Sequence, residues 1–216
     1  MKKLIILLLF IPLVSFGQED EKEIENNEKN DVIFGVKGGL NLSTMSNGLW
    51  KSGGFDFNNR TSFHLGLTAE INFNEKFSIQ PELLYSGQGF KFPNSMTTIY
   101  PDGSTIDSSN SITVIQNYLN LPVIAKFYIS NTFFLETGPQ IGYLISANAK
   151  FGDGTNIEYA KSDMEDFDFG FNIGAGYRLN SGTNFNLRYY LGLSSHNFYA
   201  FNDKNYVLSF SVGFRL

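Results

Sequence analysis

The stretch FDFGFNIGAGYRL, residues 167–179, alternates without a break. Phe167, Phe169, Phe171, Ile173, Ala175, Tyr177 and Leu179 take every second position, and Asp168, Gly170, Asn172, Gly174, Gly176 and Arg178 lie between them. A period of two sends the sets to opposite faces of a β-strand. One face is aromatic and apolar, the other small, polar or charged. The same period recurs after Asp31, and no helical stripe of useful length interrupts it.

Eight strand-like segments follow from this period. They span 33–42, 62–73, 77–89, 117–129, 133–147, 167–179, 184–195 and 206–216. Their apolar faces carry sets such as Phe63, Leu65, Leu67, Ala69, Ile71 and Phe73, or Phe185, Leu187, Tyr189, Leu191 and Leu193. The connections alternate in length. Residues 74–76, 130–132 and 180–183 are short turns, whereas 43–61, 91–116, 148–166 and 196–205 are long and rich in Ser, Asn, Gly and Asp. An even number of strands with short turns on one rim and long loops on the other is the pattern of an outer-membrane barrel. Strands of this length suit a tilted bilayer crossing. The expected fold is all-β: an eight-stranded antiparallel up-and-down transmembrane β-barrel, with both termini facing the periplasm.

The opposite faces decide what lies inside. They carry Lys37, His64, Glu70, Gln80, Glu82, Lys126, Glu136, Gln140, Asp168, Arg178, Arg188 and Arg215. A charge turned toward lipid costs about 2–4 kcal/mol near the midplane. A soluble, lipocalin-like barrel would instead need the apolar face inside. An eight-stranded barrel has an interior only just wide enough to be filled by side chains, and the Phe and Tyr rings here are too many for it. The charged face is therefore expected inside and the aromatic face against lipid. Closure leaves no sheet edge unpaired in hydrocarbon. Rings near the short turns (Phe34, Phe73, Phe77, Phe127, Phe133, Tyr177, Phe185, Phe214) and near the other rim (Tyr85, Tyr143, Phe167, Tyr206) form the two belts expected at membrane interfaces. Pro81, Pro122 and Pro139 stand inside strands, where proline removes a ladder hydrogen bond. Bulges or local irregularity are expected there.

The chain begins MKKLIILLLFIPLVSFGQ. Lys2 and Lys3, the apolar run Leu4–Val14 and the small residues Ser15 and Gly17 have the layout of a signal peptide over residues 1–17. The run is too short for a transmembrane helix. Residues 18–31, QEDEKEIENNEKND, read as an acidic, disordered periplasmic leader. Residues 32–216 form the barrel domain. Cysteine is absent, which excludes disulfides and thiolate chemistry. Mean hydropathy is −0.13, and the pI near 5.0 argues against nucleic acid as a partner.

The segments FGVKGGLNLS (34–43), SIQPELLYSGQG (78–89), NYLNLPVIAKF (117–127), FLETGPQIGYLIS (134–146) and GFNIGAGYRL (170–179) resemble the PorT-like outer-membrane β-barrel family of Bacteroidetes-type bacteria. The resemblance spans roughly 33–216. It implies an eight-stranded outer-membrane barrel of OmpA/OmpX-like type. The name-giving member is an accessory factor of protein secretion, but no residue here singles out that role.

The inward set, Lys37, His64, Glu70, Glu82, Lys126, Glu136, Asp168, Arg178, Arg188 and Arg215, is the candidate site: a polar network filling the lumen. Buried charges need partners, so the expected arrangement is an ion-paired plug. A narrow, porin-like proton, ion or small-solute path is the sharper alternative. A wide pore is not expected, because open channels arise at around 16 strands. Ser194, Ser195 and His196 invite comparison with a lipid hydrolase. Neighbouring strand residues point to opposite faces, however, and a nucleophile–base pair also needs an orienting group and an oxyanion site. No catalytic residue is assigned. No metal or cofactor is expected either, since His64 has no second His or Cys at ligand spacing. Loops 43–61 and 91–116 are long enough to be functional. Trp50, Phe55 and Phe57 are the candidate loop residues for an envelope or extracellular protein or a glycan, and the interfacial belt is the other place for Trp50. The expected protein is thus a monomer in outer-membrane lipid with a structural or interaction role.

Overall fold

A computed structural model describes residues 32–46, 58–99, 105–151, 156–158, 165–194, 196–198 and 201–216. The signal segment 1–17, the leader 18–31, Trp50, Phe55, Phe57 and Ser195 lie outside the described residues. Ten strands run in chain order: β1 (Val32–Ser46), β2 (Asn58–Asn74), β3 (Phe77–Ile99), β4 (Thr105–Tyr128), β5 (Phe133–Phe151), β6 (Asn156–Glu158), β7 (Phe167–Arg178), β8 (Asn184–Gly192), β9 (His196–Phe198) and β10 (Phe201–Arg215). The described residues contain no helix.

Eight of the strands form the wall. Each pairs antiparallel with its neighbour in the order β1-β2-β3-β4-β5-β7-β8-β10, and β10 pairs back onto β1 from Gly35↔Arg215 to Ser46↔Lys204. The sheet is a closed eight-stranded up-and-down barrel. The short β6 adds to β5, and β9 adds to β10 through His196↔Asp203.

Three short turns lie on one rim with both ends of the described chain. In the turn 179–183, Leu179 N donates to Thr183 O and Gly182 N to Leu179 O at 2.8 and 3.0 Å. Gly182 has φ +86°, which a residue with a Cβ rarely adopts.

The opposite rim departs from expectation. Residues 91–116, read as a loop, are mostly strand. β3 and β4 stay paired from Lys91↔Thr113 up to Ile99↔Thr105. Their outer neighbours stop earlier, β2 at Asn58↔Lys91 and β5 at Ile112↔Phe151. Residues 92–99 and 105–111 therefore form a two-stranded ribbon projecting about 25 Å beyond the wall, at ~3.3 Å per residue. The segment was read as a loop because FPNSMTTI and TIDSSNS are rich in Ser, Asn and Thr, carry Pro93, and have no lipid to face.

At the prolines the expected local irregularity is present as missing rungs, without bulges. Pro81 pairs with Val123 and Pro139 with Phe171, and the next pair beyond Pro81 is Leu84↔Asn120 in unchanged register. Pro122 pairs with Gln140, and the ladder resumes at Ala125↔Thr137, again in register. The β3–β4 and β4–β5 ladders each skip two rungs without slipping, and the β5–β7 ladder runs through Pro139 unbroken. The register shifts fall elsewhere, at Asn59/His64, Asn72/Asn74 and Asn117/Tyr118.

Burial alternates along the wall, as in Asn184–Gly192 with Phe185, Leu187 and Tyr189 exposed and Asn186, Arg188 and Tyr190 buried. Phe34, Leu65, Phe169, Leu187 and Phe210 stand outward at 50 % exposure or more, whereas Arg188 and Glu136 are 5 % and 1 % exposed. Rings cluster at both ends of this outer band. Phe77 lies 5.7 Å from Phe73 and 5.1 Å from Phe127 by the short turns. Toward the other rim, Tyr143–Phe167 and Phe63–Tyr85 sit at 5.4 and 5.6 Å.

Candidate functional site

The inward face of β7 shows how this sequence makes a filled lumen. Asp168, Gly170, Asn172, Gly174, Gly176 and Arg178 all point in. The glycines leave room for larger groups from the other strands. A Cβ at Gly176 would lie 2.3 Å from the Phe134 ring, and one at Gly170 would lie 2.4 Å from the Tyr190 ring. Small residues on one strand thus house bulky ones from its neighbours.

Two ionic layers occupy the half nearer the short turns. The inner layer centres on Arg188 of β8. Its Nη1 and Nη2 donate to Glu82 Oε2 and Oε1, both at 2.9 Å, in a bidentate fork. Its Nε and Nη2 donate to Glu136 Oε1 and Oε2 at 2.8 and 3.1 Å. Lys37 Nζ reaches Glu82 Oε1 at 3.3 Å, and Asn186 donates to Glu136 at 3.0 Å. Two cations meet two carboxylates, so the layer is neutral.

The outer layer, at the short-turn mouth, has one carboxylate at its centre. Glu70 Oε1 accepts from Ser78 at 3.0 Å, from Arg178 Nη2 at 3.2 Å and from the Tyr128 hydroxyl. Glu70 Oε2 faces Lys126 Nζ at 3.2 Å and Arg215 Nη2 at 3.0 Å. The Arg178 guanidinium also stacks 4.2 Å from the centre of the Tyr128 ring. Gln80 joins the layers: it accepts from Lys126 Nζ and donates to Glu82 Oε1 at 2.6 Å.

Beyond the ionic layers the lumen is polar, then apolar. His64 bonds Asn41 Oδ1 through Nδ1 at 2.8 Å and Ser211 Oγ through Nε2 at 2.9 Å. It borders a cavity of about 30 Å³ that Arg188, Asn172 and Tyr190 also line, with room for about one or two waters. Asp168 accepts from Asn205 at 3.1 Å and from Ser194 at 3.2 Å, and Asn205 donates on to Gln88. Nearer the long-loop rim, Met45, Phe90 and Val114 form one buried apolar cluster, and Tyr118, Leu144 and Ala147 another.

Eight of the ten inward residues named from the sequence thus meet in two ionic layers: Lys37, Glu82, Glu136 and Arg188, then Glu70, Lys126, Arg178 and Arg215. His64 and Asp168 sit apart, in hydrogen-bonded layers of their own. The lumen is side-chain-filled as expected, and its long-loop end adds apolar packing to the polar set. Gln80, the link between the layers, was missed as a site residue, as were Tyr128, Tyr118 and Tyr190. The candidate set holds only charged residues and His64, so it leaves out these three tyrosines. The same alternation places them inward, since Phe127, Leu119 and Tyr189 beside them face out.

Ser194 donates to Asp168 Oδ1 and to Phe169 O, each at 3.2 Å. The backbone of His196 pairs in β9. Among the described residues, no group of three or more His, Asp or Glu side chains is placed to hold a metal ion.

Several solved outer-membrane proteins are similar to the chain at low identity. The attachment invasion locus protein Ail of Yersinia pestis is 14 % identical, with 85 % of this chain and 98 % of that chain covered and a TM-score of 0.49. Neisserial surface protein A is 14 % identical over 85 % and 97 %, TM-score 0.49. OprG of Pseudomonas aeruginosa is 17 % identical over 87 % and 98 %, TM-score 0.39. No curated protein sequence matches the chain. Residues 16–198 match the outer membrane protein beta-barrel domain family. That match covers most of the chain, and with the closed, inwardly charged barrel above it the chain belongs to this family of bacterial outer-membrane β-barrels.

Proposed function

We propose that the protein is a monomeric, non-conducting outer-membrane barrel whose work is done at its long-loop face, by binding another envelope or extracellular protein or a glycan. One observation carries this reading: among the described residues the lumen is filled along its length. Two ion-paired layers, a hydrogen-bonded layer and two apolar clusters follow one another, and the cavity among them is about 30 Å³. A path for solutes has no space there, whereas the β3–β4 ribbon extends clear of the wall and offers backbone edges for pairing. Residues 1–17 serve in this reading as the export signal, and residues 18–31 as a leader left on the periplasmic side. Trp50, Phe55 and Phe57 belong to the same face by sequence position. The motifs at 34–43, 78–89 and 117–127 support a place near the PorT-like barrels and, with it, a role beside a secretion system. Enzymatic chemistry is not part of the proposal.

A second reading, a narrow proton or ion path, draws on one feature. Asn172 Oδ1, Asn186 Oδ1 and the Tyr118 hydroxyl are buried without hydrogen-bond partners among the described residues, and a water file would satisfy them. Planar-bilayer recording separates the two. The plugged barrel gives no stable conductance steps, and reproducible steps from purified protein would contradict it. Pull-down from intact outer membranes with the whole chain, and with the ribbon deleted, tests the binding role. A partner retained equally by both proteins would contradict the ribbon as its site.

A further inference from the structure

The outer face of the wall does not stay apolar up to the long-loop rim. Tyr85, Leu119, Tyr143 and Phe167 stand in one row across β3, β4, β5 and β7, through the pairs Tyr85↔Leu119, Leu119↔Tyr143 and Tyr143↔Phe167. This row is the aromatic belt of that rim. Beyond it the outward side chains of β4 and β5 turn polar. Asn117 Nδ2 donates to Ser146 Oγ at 2.9 Å. Asn148 comes next on β5, between the buried Ala147 and Ala149.

Two lysines complete this patch. Lys91 pairs with Thr113, and Thr113 pairs with Lys150. Their inward neighbours Phe90, Val114 and Ala149 are buried, whereas Lys91 and Lys150 are exposed and Thr113 is half-buried. The three side chains therefore stand on the outer face at one height. Two strand spacings hold the lysines about 10 Å apart, with Thr113 between them. Their flexible stems let both ammonium groups converge on one anion there.

Among the described residues neither lysine has an ion-pair partner. Glu158 of β6 lies in register with Asn148. Counting it, the patch keeps one net positive charge. Asp107, opposite Thr97, is six residues farther out on β4. Asp166, whose carbonyl accepts from Leu144 N, lies with Glu165 back toward the belt. Both places are about 20 Å from the lysine row along a strand.

Height decides which anion fits. The lysine row is six residues beyond the belt row on both β3 and β4. That is about 20 Å along a strand, and about 14–16 Å along the membrane normal at the usual tilt. A phospholipid headgroup layer adds only about 5–8 Å to each side of the hydrocarbon. The lysines stand above it, at a height reached by a lipid with a taller anionic headgroup. Long loops lie on the outer side of such barrels, so the lipid belongs to the outer leaflet.

We propose that Lys91, Thr113 and Lys150 bind the phosphorylated sugar headgroup of an outer-leaflet glycolipid. The two ammonium groups and the Thr113 hydroxyl hold one phosphate against the wall, at the foot of the β3–β4 ribbon. The contact is with the membrane around the barrel and does not depend on a partner at the loops.

The test uses the full chain, folded in uncharged maltoside micelles at about 10 mM salt, where the Debye length is about 30 Å. It is titrated with lipopolysaccharide phosphorylated on its inner sugars, and the amide signals of Ile112, Thr113 and Val114 report binding. A lysine near an anionic membrane surface contributes about fivefold, so Lys91→Gln/Lys150→Gln is expected to weaken binding about 25-fold. Lys91→Arg/Lys150→Arg keeps both charges and should bind as the native chain does. Dephosphorylated lipopolysaccharide supplies an arm that needs no variant: its binding to the native chain should be weakened to a similar degree. Equal affinity of the native chain and the glutamine variant overturns the proposal, as does undiminished binding of the dephosphorylated lipid. Phosphatidylglycerol or inorganic phosphate bound as tightly as the lipopolysaccharide also overturns it, because the patch would then take any phosphate and not the glycolipid.

Discussion

Arg188 illustrates how a buried charge is tolerated in this protein: all of its charge is met by Glu82 and Glu136, through four hydrogen bonds of 2.8–3.1 Å. Removing one partner strands the other. Glu136→Ala is expected to destabilise the barrel by about 3–5 kcal/mol, read as a lowered urea midpoint for unfolding from lipid vesicles. Lys37→Met and Arg188→Met combined with Glu82→Gln and Glu136→Gln, which removes both cations and both carboxylates together, should cost less than Glu136→Ala alone. A larger loss in the quadruple variant would contradict the ionic reading of the layer. Close packing sets a second test. Gly176→Ala puts a methyl 2.3 Å from the Phe134 ring and 2.8 Å from Phe185 O, at an expected cost of about 1–3 kcal/mol. Phe134→Leu should recover only part of it, because the carbonyl does not move. At this scale the charged residues were legible, because a charge on the apolar-alternating strands has only one side to go to. The inward tyrosines are legible only from their position along the strand, because ring chemistry suits lipid and lumen alike.

Strands are where the alternation acts as a rule. Leu187 and Arg188 are neighbours in β8, yet one is 54 % exposed and the other 5 %. Leu187→Arg on the outer face is expected to cost about 2–4 kcal/mol near the midplane, measured by the same lipid unfolding titration. A cost near zero would mean that the face does not meet hydrocarbon. The β3–β4 ribbon should be separable from the wall, since β2 and β5 make no pairs with it beyond Lys91 and Ile112. Replacing residues 93–110 with a short turn is expected to leave folding and heat-modifiable gel migration intact. Loss of the folded band would show that the ribbon is needed to build the barrel. The wall strands were legible because lipid imposes a strict pattern on them. The ribbon was not, because outside the bilayer nothing forces its residues to alternate. The prolines were legible as sites of local irregularity, though not as ones that keep register. Lost donors at Pro81, Pro122 and Pro139 leave gaps in the ladders, but the flanking pairs on both sides hold the register.

Across the whole molecule, closure and filling depend on each other. Eight strands give an interior of side-chain width, and this sequence fills it with ion pairs toward the short turns and apolar groups toward the ribbon. The fold class could be read from the sequence because strand number, turn lengths and face chemistry all agreed. The layering of the lumen could not, because it depends on which residues of different strands reach the same height, and register is invisible in one chain. The central claim is the orientation of the wall: apolar side chains toward lipid, charged ones toward the axis. The most direct measurement is a nitroxide scan through residues 185–191 of β8 in lipid vesicles, read by collision with dissolved oxygen, which concentrates in hydrocarbon. High oxygen accessibility at 185, 187, 189 and 191, with low values at 186, 188 and 190, is the expected result. The reverse phase, or no alternation at all, would contradict it.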